Sequence, residues 1–197
     1  IMTRIYILEQ KPVGDLSSLM NHMIIGTVTG ARLAHCLFYD PVYYFNHPFE
    51  IIKIWEGGLA SHGGAAGIIL GLWIYSRKKE NQPFLWLLDR IALAAAPGGA
   101  LIRVGNFFNS EILGYHSTLP WAVIFKRIDS FPRHPSQLYE STVCLITFCI
   151  LTGLYSKVKK HAAPGLLSGT FLTIIFSARF FLEFLKVPQA AYNSGLG

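Results

Sequence analysis

The sequence predicts an all-α polytopic membrane protein with about five transmembrane helices, and three observations lead there. Of its 197 residues, 52% are hydrophobic and only 14% charged, against about 25% charged in soluble domains. Five apolar segments approach the roughly 20 residues that cross a bilayer. Basic residues gather in the short connections between those segments, as they do in cytoplasmic loops.

The first residues, up to Leu19, are mixed in character rather than basic and then apolar, so no cleavable signal peptide is expected. The first span is 19–38, with Gly26 and Gly30 at helical spacing and Arg32 toward its far end. The second is 59–75, with Gly63, Gly67 and Gly71 in register, and small residues four apart let helices approach closely in lipid. The third, 84–108, contains Ala94-Ala95-Ala96-Pro97-Gly98-Gly99, which predicts a kink. The fourth, 138–155, follows Arg133-His134-Pro135-Ser136-Gln137-Leu138-Tyr139-Glu140, where proline suits the first helical turn and the polar groups suit helix start and packing. The fifth is 166–185. No repeat or linker divides the chain, so 1–197 reads as a single integral membrane domain.

Arg77-Lys78-Lys79 follows the second span and Lys157-Val158-Lys159-Lys160 the fourth, so both fall on one side, together with Arg4 and Lys11. That face carries eight Lys and Arg residues, against five on the other (Lys53, Lys126, Arg127, Arg133 and Lys186). Taking the basic face as cytoplasmic makes 39–58 and 109–134 external loops. His62, Arg103, Glu111, Arg179 and Glu183 then all lie toward one membrane surface. The net charge of +6 is therefore read as loop charge meeting anionic lipid, not as a nucleic-acid footprint. Cys36, Cys144 and Cys149 are odd in number and lie in or beside apolar runs, which suits buried thiols and not a disulfide framework.

Two arginines stand within apolar runs, Arg103 and Arg179. A guanidinium stays charged at any accessible pH, and placing one at membrane depth costs at least about 2.5–3.5 kcal/mol on insertion scales. That cost is met when the cation meets an anion, and a lipid phosphate is the anion at hand. Arg103 is followed by Gly105, Asn106, Asn109 and Glu111, which offer amides and a carboxylate beside a fork of donors. The same arginine, snorkelling to the interface and paired with Glu111, serves stability alone. Arg179 and Glu183 are four apart and share a helix face, as a phosphate site or as a structural ion pair. His62, between Gly57-Gly58 and Gly63-Gly64, is either a proton acceptor approached closely by a ligand or a helix-start histidine bonded to a carbonyl. Arg32 is a candidate third lipid contact, and Asp89-Arg90 reads as structural. No His, Cys, Asp and Glu cluster has metal-ligand spacing, so neither metal nor other cofactor is expected.

Five ordered strings, at 57–67 (GGLASHGGAAG), 103–114 (RVGNFFNSEILG), 119–125 (LPWAVIF), 133–140 (RHPSQLYE) and 179–184 (RFFLEF), make the chain resemble the prolipoprotein diacylglyceryl transferases. The resemblance implies an integral membrane enzyme of the bacterial inner membrane with its active site toward the extracytoplasmic side. Its substrates would be phosphatidylglycerol and the lipobox cysteine of a preprolipoprotein, and glycerol 1-phosphate would be released. It implies functional positions at His62, Arg103, Asn106, Glu111, Gly114, Arg179 and Glu183, with Arg103 binding phosphatidylglycerol and His62 the candidate base. Family members usually have seven spans, which implies that the first and last are missing here. Many members carry a tyrosine where this chain has Ile175. Two other classes remain open on the residues alone: an anion or lipid transporter, and an intramembrane hydrolase using Ser61 or Ser136.

Overall fold

A computed structural model describes residues 1–158 and 163–187, so Lys159 and Lys160 of the second basic loop lie outside the described residues. The chain divides into two units between Leu87 and Leu88. The first contains α1 (Met2–Leu8), α2 (Asp15–Phe38), α3 (Pro41–Asn46), two 3-10 turns (Pro48–Ile52 and Ile54–Glu56) and α4 (Ser61–Lys78).

Helices α2 and α4 pack directly on each other, and their glycines explain how. A Cβ on Gly26 or Gly67 would run into the other's backbone carbonyl, and Gly30 and Gly63 face each other in the same way. The backbones touch where the side chains are missing, so dispersion contact replaces a hydrophobic drive that lipid does not supply. At the basic end, Gln82 Oε1 accepts from Tyr6 at 2.7 Å and Tyr75 at 2.9 Å, while its amide donates to Asp15 at 2.7 Å. Lys79 closes this cluster on Asp15, also at 2.7 Å. At the other end Arg32 is buried and spends its fork on backbone. Its nitrogens donate to the carbonyls of Ile51 at 2.9 Å, Gly57 at 2.6 Å, Gly58 at 3.2 Å and Glu50 at 2.6 Å. It therefore pins loop 39–58 and is not free for the third lipid contact that its position suggested. The loop it holds turns Phe45, Phe49 and Trp55 outward, each at least 74% exposed.

The second unit is built on α5 (Phe84–Phe108), α6 (Ser136–Val158) and α7 (Leu166–Glu183), with a two-stranded antiparallel ribbon, β1 (Val123–Ile124) and β2 (Pro132–Arg133), in the loop before α6. Helix α6 packs on α7, and Ser141 Oγ donates to the Ala100 carbonyl of α5 at 3.1 Å. Asp89, fully buried near the start of α5, accepts from Gly165 N at 2.9 Å and from Ser168 N and Oγ at 2.8 Å. A carboxylate here satisfies orphan amides at the start of α7 and complements its dipole. The starts of α5 and α7 are thus together, and α6 runs the opposite way.

The five expected spans correspond to α2, α4, α5, α6 and α7. Of these, α5, α6 and α7 are long and apolar enough to cross a membrane. Helices α2 and α4 have 24 and 18 residues, but glycine, histidine and threonine dilute their apolar character. The apolar run 84–108 became a helix with those same bounds, and it continues through Pro97. The three thiols are free, and Cys149 is exposed rather than buried.

Candidate active site

Three helix ends meet in the second unit. Arg103 lies one turn before the end of α5, Glu140 one turn after the start of α6, and Arg179 one turn before the end of α7. The antiparallel order brings these turns together. Both arginines line one cavity of about 150 Å³, whose wall also includes Gly99, Cys144, Ile175 and Glu140. Arg179 is exposed, and among the described residues no carboxylate lies within ion-pair distance of it. Ile175 contributes only hydrocarbon to this wall.

Arg103 is held from behind. Its Nε lies 2.6 Å from Glu140 Oε2, and the two side chains are 21% and 5% exposed. This is an ion pair without an aligned hydrogen bond: Oε2 accepts none among the described residues. The other oxygen, Oε1, takes the ammonium of Lys186, a buried residue just beyond α7. Lys186 also reaches Glu183 Oε2 at 3.4 Å. The face-sharing Arg179 and Glu183 therefore do not close on each other; Glu183 turns to Lys186. Both still border a shallow depression with Phe176, Phe180 and Phe184.

On its outer side Arg103 Nη1 donates to Asn106 Oδ1 at 3.3 Å, and Asn106 Nδ2 donates to Glu111 Oε2 at 2.6 Å. Glu111 thus reaches the arginine through an amide. Asn109 adds a 3.4 Å contact to Glu111 Oε1. The backbone around Glu111 is strained, with Ser110 at φ +59° and Ile112 at φ +56°. A β-branched residue is rarely found there, at a cost on the order of 1–3 kcal/mol per site. Two fully buried residues at the start of α6 hold it. Ser136 Oγ donates to the Ile112 carbonyl at 2.8 Å, and Gln137 Nε2 donates to the Glu111 carbonyl. With its hydroxyl committed to that carbonyl, Ser136 is not arranged as a nucleophile.

Gly114 is buried, and a Cβ there would collide with the His134 carbonyl. Its chain pairs antiparallel with the segment after α7: Tyr115 N donates to Leu185 O at 2.9 Å, and Val187 N to Leu113 O at 3.0 Å. The Gly114 carbonyl accepts from Arg133 Nη1 at 3.3 Å, while Asp129 orients Arg133. That guanidinium holds the Asp129 carboxyl below the usual carboxylate range.

His62 belongs to the first unit, on the first turn of α4. It is exposed, with Tyr39 stacked at 6.1 Å and Phe38 edge-on at 6.0 Å. Among the described residues its imidazole makes no hydrogen bond, so the carbonyl-bonded helix-start histidine is not what forms. Ser61 beside it is also exposed. No group of three or more His, Cys, Asp and Glu able to hold a metal occurs among the described residues.

Sequence reasoning treated Glu140 and Gln137 as helix-start packing and Lys186 as an external loop charge. The one available signal was a carboxylate and an amide in the first turn of an apolar helix, where burial demands partners.

Comparison with known proteins agrees with these motifs. The sequence profile described as prolipoprotein diacylglyceryl transferase matches residues 2–196. A Tolumonas auensis protein named phosphatidylglycerol–prolipoprotein diacylglyceryl transferase is 50% identical over 99% of this chain and 75% of its own length. Its namesake from Chloroherpeton thalassium is 53% identical over 100% of this chain and 73% of its own. A third, from Porphyromonas gingivalis, is 45% identical over 89% and 66%. A match of this extent makes the chain a member of the prolipoprotein diacylglyceryl transferase family.

Proposed function

We propose that this chain transfers the diacylglyceryl group of phosphatidylglycerol to the lipobox cysteine thiol of a preprolipoprotein and releases glycerol 1-phosphate. The observation that carries this reading is the cavity shared by Arg103 and Arg179. It presents permanent cations from two helices, one without a protein carboxylate among the described residues. A phosphodiester seated there meets fork donors on both sides.

The reaction follows from that placement. The lipid enters sideways with its acyl chains among the apolar helix faces and its phosphate between the arginines. Asn106 and Glu111 hold the headgroup glycerol, and Gly114 lets the loop backbone come close. The thiol loses its proton to His62, the candidate base. The sulfur then attacks the glyceryl carbon bonded to the phosphate oxygen. The C–S bond forms as the C–O bond breaks, and the electron pair leaves on glycerol phosphate. Charge grows on the departing oxygens, and donors already aimed at them lower the barrier. Glu183 steadies this end of α7 through Lys186. The chain acts as one membrane domain in the bacterial inner membrane, with Arg77, Lys78, Lys79 and Lys157 cytoplasmic and the cavity extracytoplasmic. That orientation is supported by the basic loops.

The test is incubation of the purified protein with phosphatidylglycerol and a lipobox peptide, followed by mass spectrometry. The expected product is a peptide heavier by one diacylglyceryl group in thioether linkage, absent with Arg103→Ala. No mass gain from the wild-type protein, or flux of a soluble anion through liposomes in its place, would overturn the assignment.

A further inference from the structure

We infer that Glu140 is a positioning residue of this reaction, acting through Arg103 and Lys186; the inference rests on the transfer reading above. Glu140 is 4% exposed and stands where the three helix ends converge. One oxygen faces Arg103 Nε at 2.6 Å, and the other takes the Lys186 ammonium. A single carboxylate therefore ties α5, α6 and the chain beyond α7. The backbone at Lys186 pairs in turn with Gly114 of the external loop.

The geometry divides the labour on Arg103. Nε lies 2.6 Å from Glu140 without an aligned hydrogen bond, so the carboxylate braces the guanidinium from behind by charge, and the Nη side is left for Asn106 and for an anion in the cavity. A planar fork held at one corner loses less freedom when it binds, which is the advantage of a preorganised donor. Lys186 is kept from serving as a rival phosphate ligand, since its ammonium is committed to Glu140 and lies near Glu183. The carboxylate also separates two cations that would otherwise repel in a buried setting. Neutralising it leaves Arg103 without a counter-charge and Lys186 with only Glu183 at 3.4 Å, the costly half of a broken buried pair.

A residue that only holds helices together would weaken every step in proportion to lost stability. A positioning residue couples to the group it positions. The experiment is a double-mutant cycle on the full chain in nanodiscs, reading kcat and KM for phosphatidylglycerol with the lipobox peptide. Glu140→Gln should lower kcat/KM at least tenfold, and Glu140→Asp, which keeps the charge, should retain more activity. In the Arg103→Lys background, Glu140→Gln should cost less than threefold further, because the fork it sets is already gone. In the Arg179→Lys background its full effect should persist. Equal effects in the two backgrounds, or Glu140→Gln within threefold of wild type, would overturn the inference. If Glu140→Gln does not fold, Glu140→Asp in the same two backgrounds decides by the same criterion. A wild type that turns over while these couplings fail leaves the transfer reaction standing; a wild type that makes no product removes both.

Discussion

Replacing each cavity arginine by lysine separates their duties. Arg103 has two engagements: Nε against Glu140 at 2.6 Å and Nη1 on Asn106 at 3.3 Å. Lysine offers a single ammonium on a flexible stem. At position 103 it must choose between Glu140 and the phosphate, and the buried carboxylate is the nearer and preorganised partner. The variant thus loses at least one charge-assisted hydrogen bond to the ligand, worth about 1.5–3 kcal/mol. At about 1.4 kcal/mol per tenfold, that is roughly a 10- to 100-fold fall in kcat/KM. Arg179 has no carboxylate to serve among the described residues, so Arg179→Lys keeps its charge for the ligand and gives up only the planar fork. That loss is on the order of 0.5–1.5 kcal/mol, about two- to tenfold. Initial rates of thioether product across phosphatidylglycerol concentrations measure both. Equal losses, or the larger loss at position 179, would refute the assignment of Arg103 as the braced member of the pair.

Three further outcomes follow from the fold. Asp89→Ala removes the acceptor of three partly buried donors at the start of α7 and should cost about 1–3 kcal/mol, with Asp89→Asn milder, read by unfolding in detergent. Gly67→Ala drives a methyl into the Gly26 carbonyl and should cost about 1–3 kcal/mol by overpacking. The control Gly98→Ala, with open space around it, should be neutral or stabilising by up to about 1 kcal/mol. Burial raises the pKa of Tyr6 above its ordinary value. A raised folded value means its contribution is complete below about pH 10, the unfolded pKa, and is lost as pH climbs beyond it. Fluorescence of Trp86, whose ring is 5.6 Å from Tyr6, should then report loosening of α1 above pH 10 in wild type but not in Tyr6→Phe.

The parts of the fold legible in the sequence are those with a local cause. The α5 run lies between Pro83 and the polar stretch after Phe108, so nothing else competes for its backbone. The glycines of α2 and α4 share one helical period, and small residues at that period have one obvious use in lipid. Arg103, Asn106 and Glu111 are near neighbours on the chain, and their linkage is nearly a local event. What was not legible depends on distant pairing. Glu140 is 37 residues from Arg103 and 46 from Lys186, and no periodicity connects them. Arg32 illustrates the same limit, because its partners are carbonyls, which every residue carries and no sequence pattern marks. The strain at Ser110 and Ile112 is equally silent, since nothing in an isoleucine announces a left-handed backbone; two buried side chains from another helix impose it.

The charges around the cavity show that geometry, not surplus charge, must meet the leaving group. Arg103, Arg179 and Lys186 face Glu140 and Glu183, an excess of one positive charge before Glu111 is counted through Asn106. The phosphodiester of the lipid carries one negative charge. A phosphate monoester carries about 1.5–2 near neutral pH, and the departing glycerol phosphate becomes one as the C–O bond breaks. In the proposed reaction the growing charge therefore has no spare cation waiting for it, and the gain must come from donors that bond more strongly to the breaking ester than to the bound lipid, which is the difference that accelerates a chemical step. Glu140 braces the arginine that supplies those donors, so removing its charge frees the fork against which the leaving group departs.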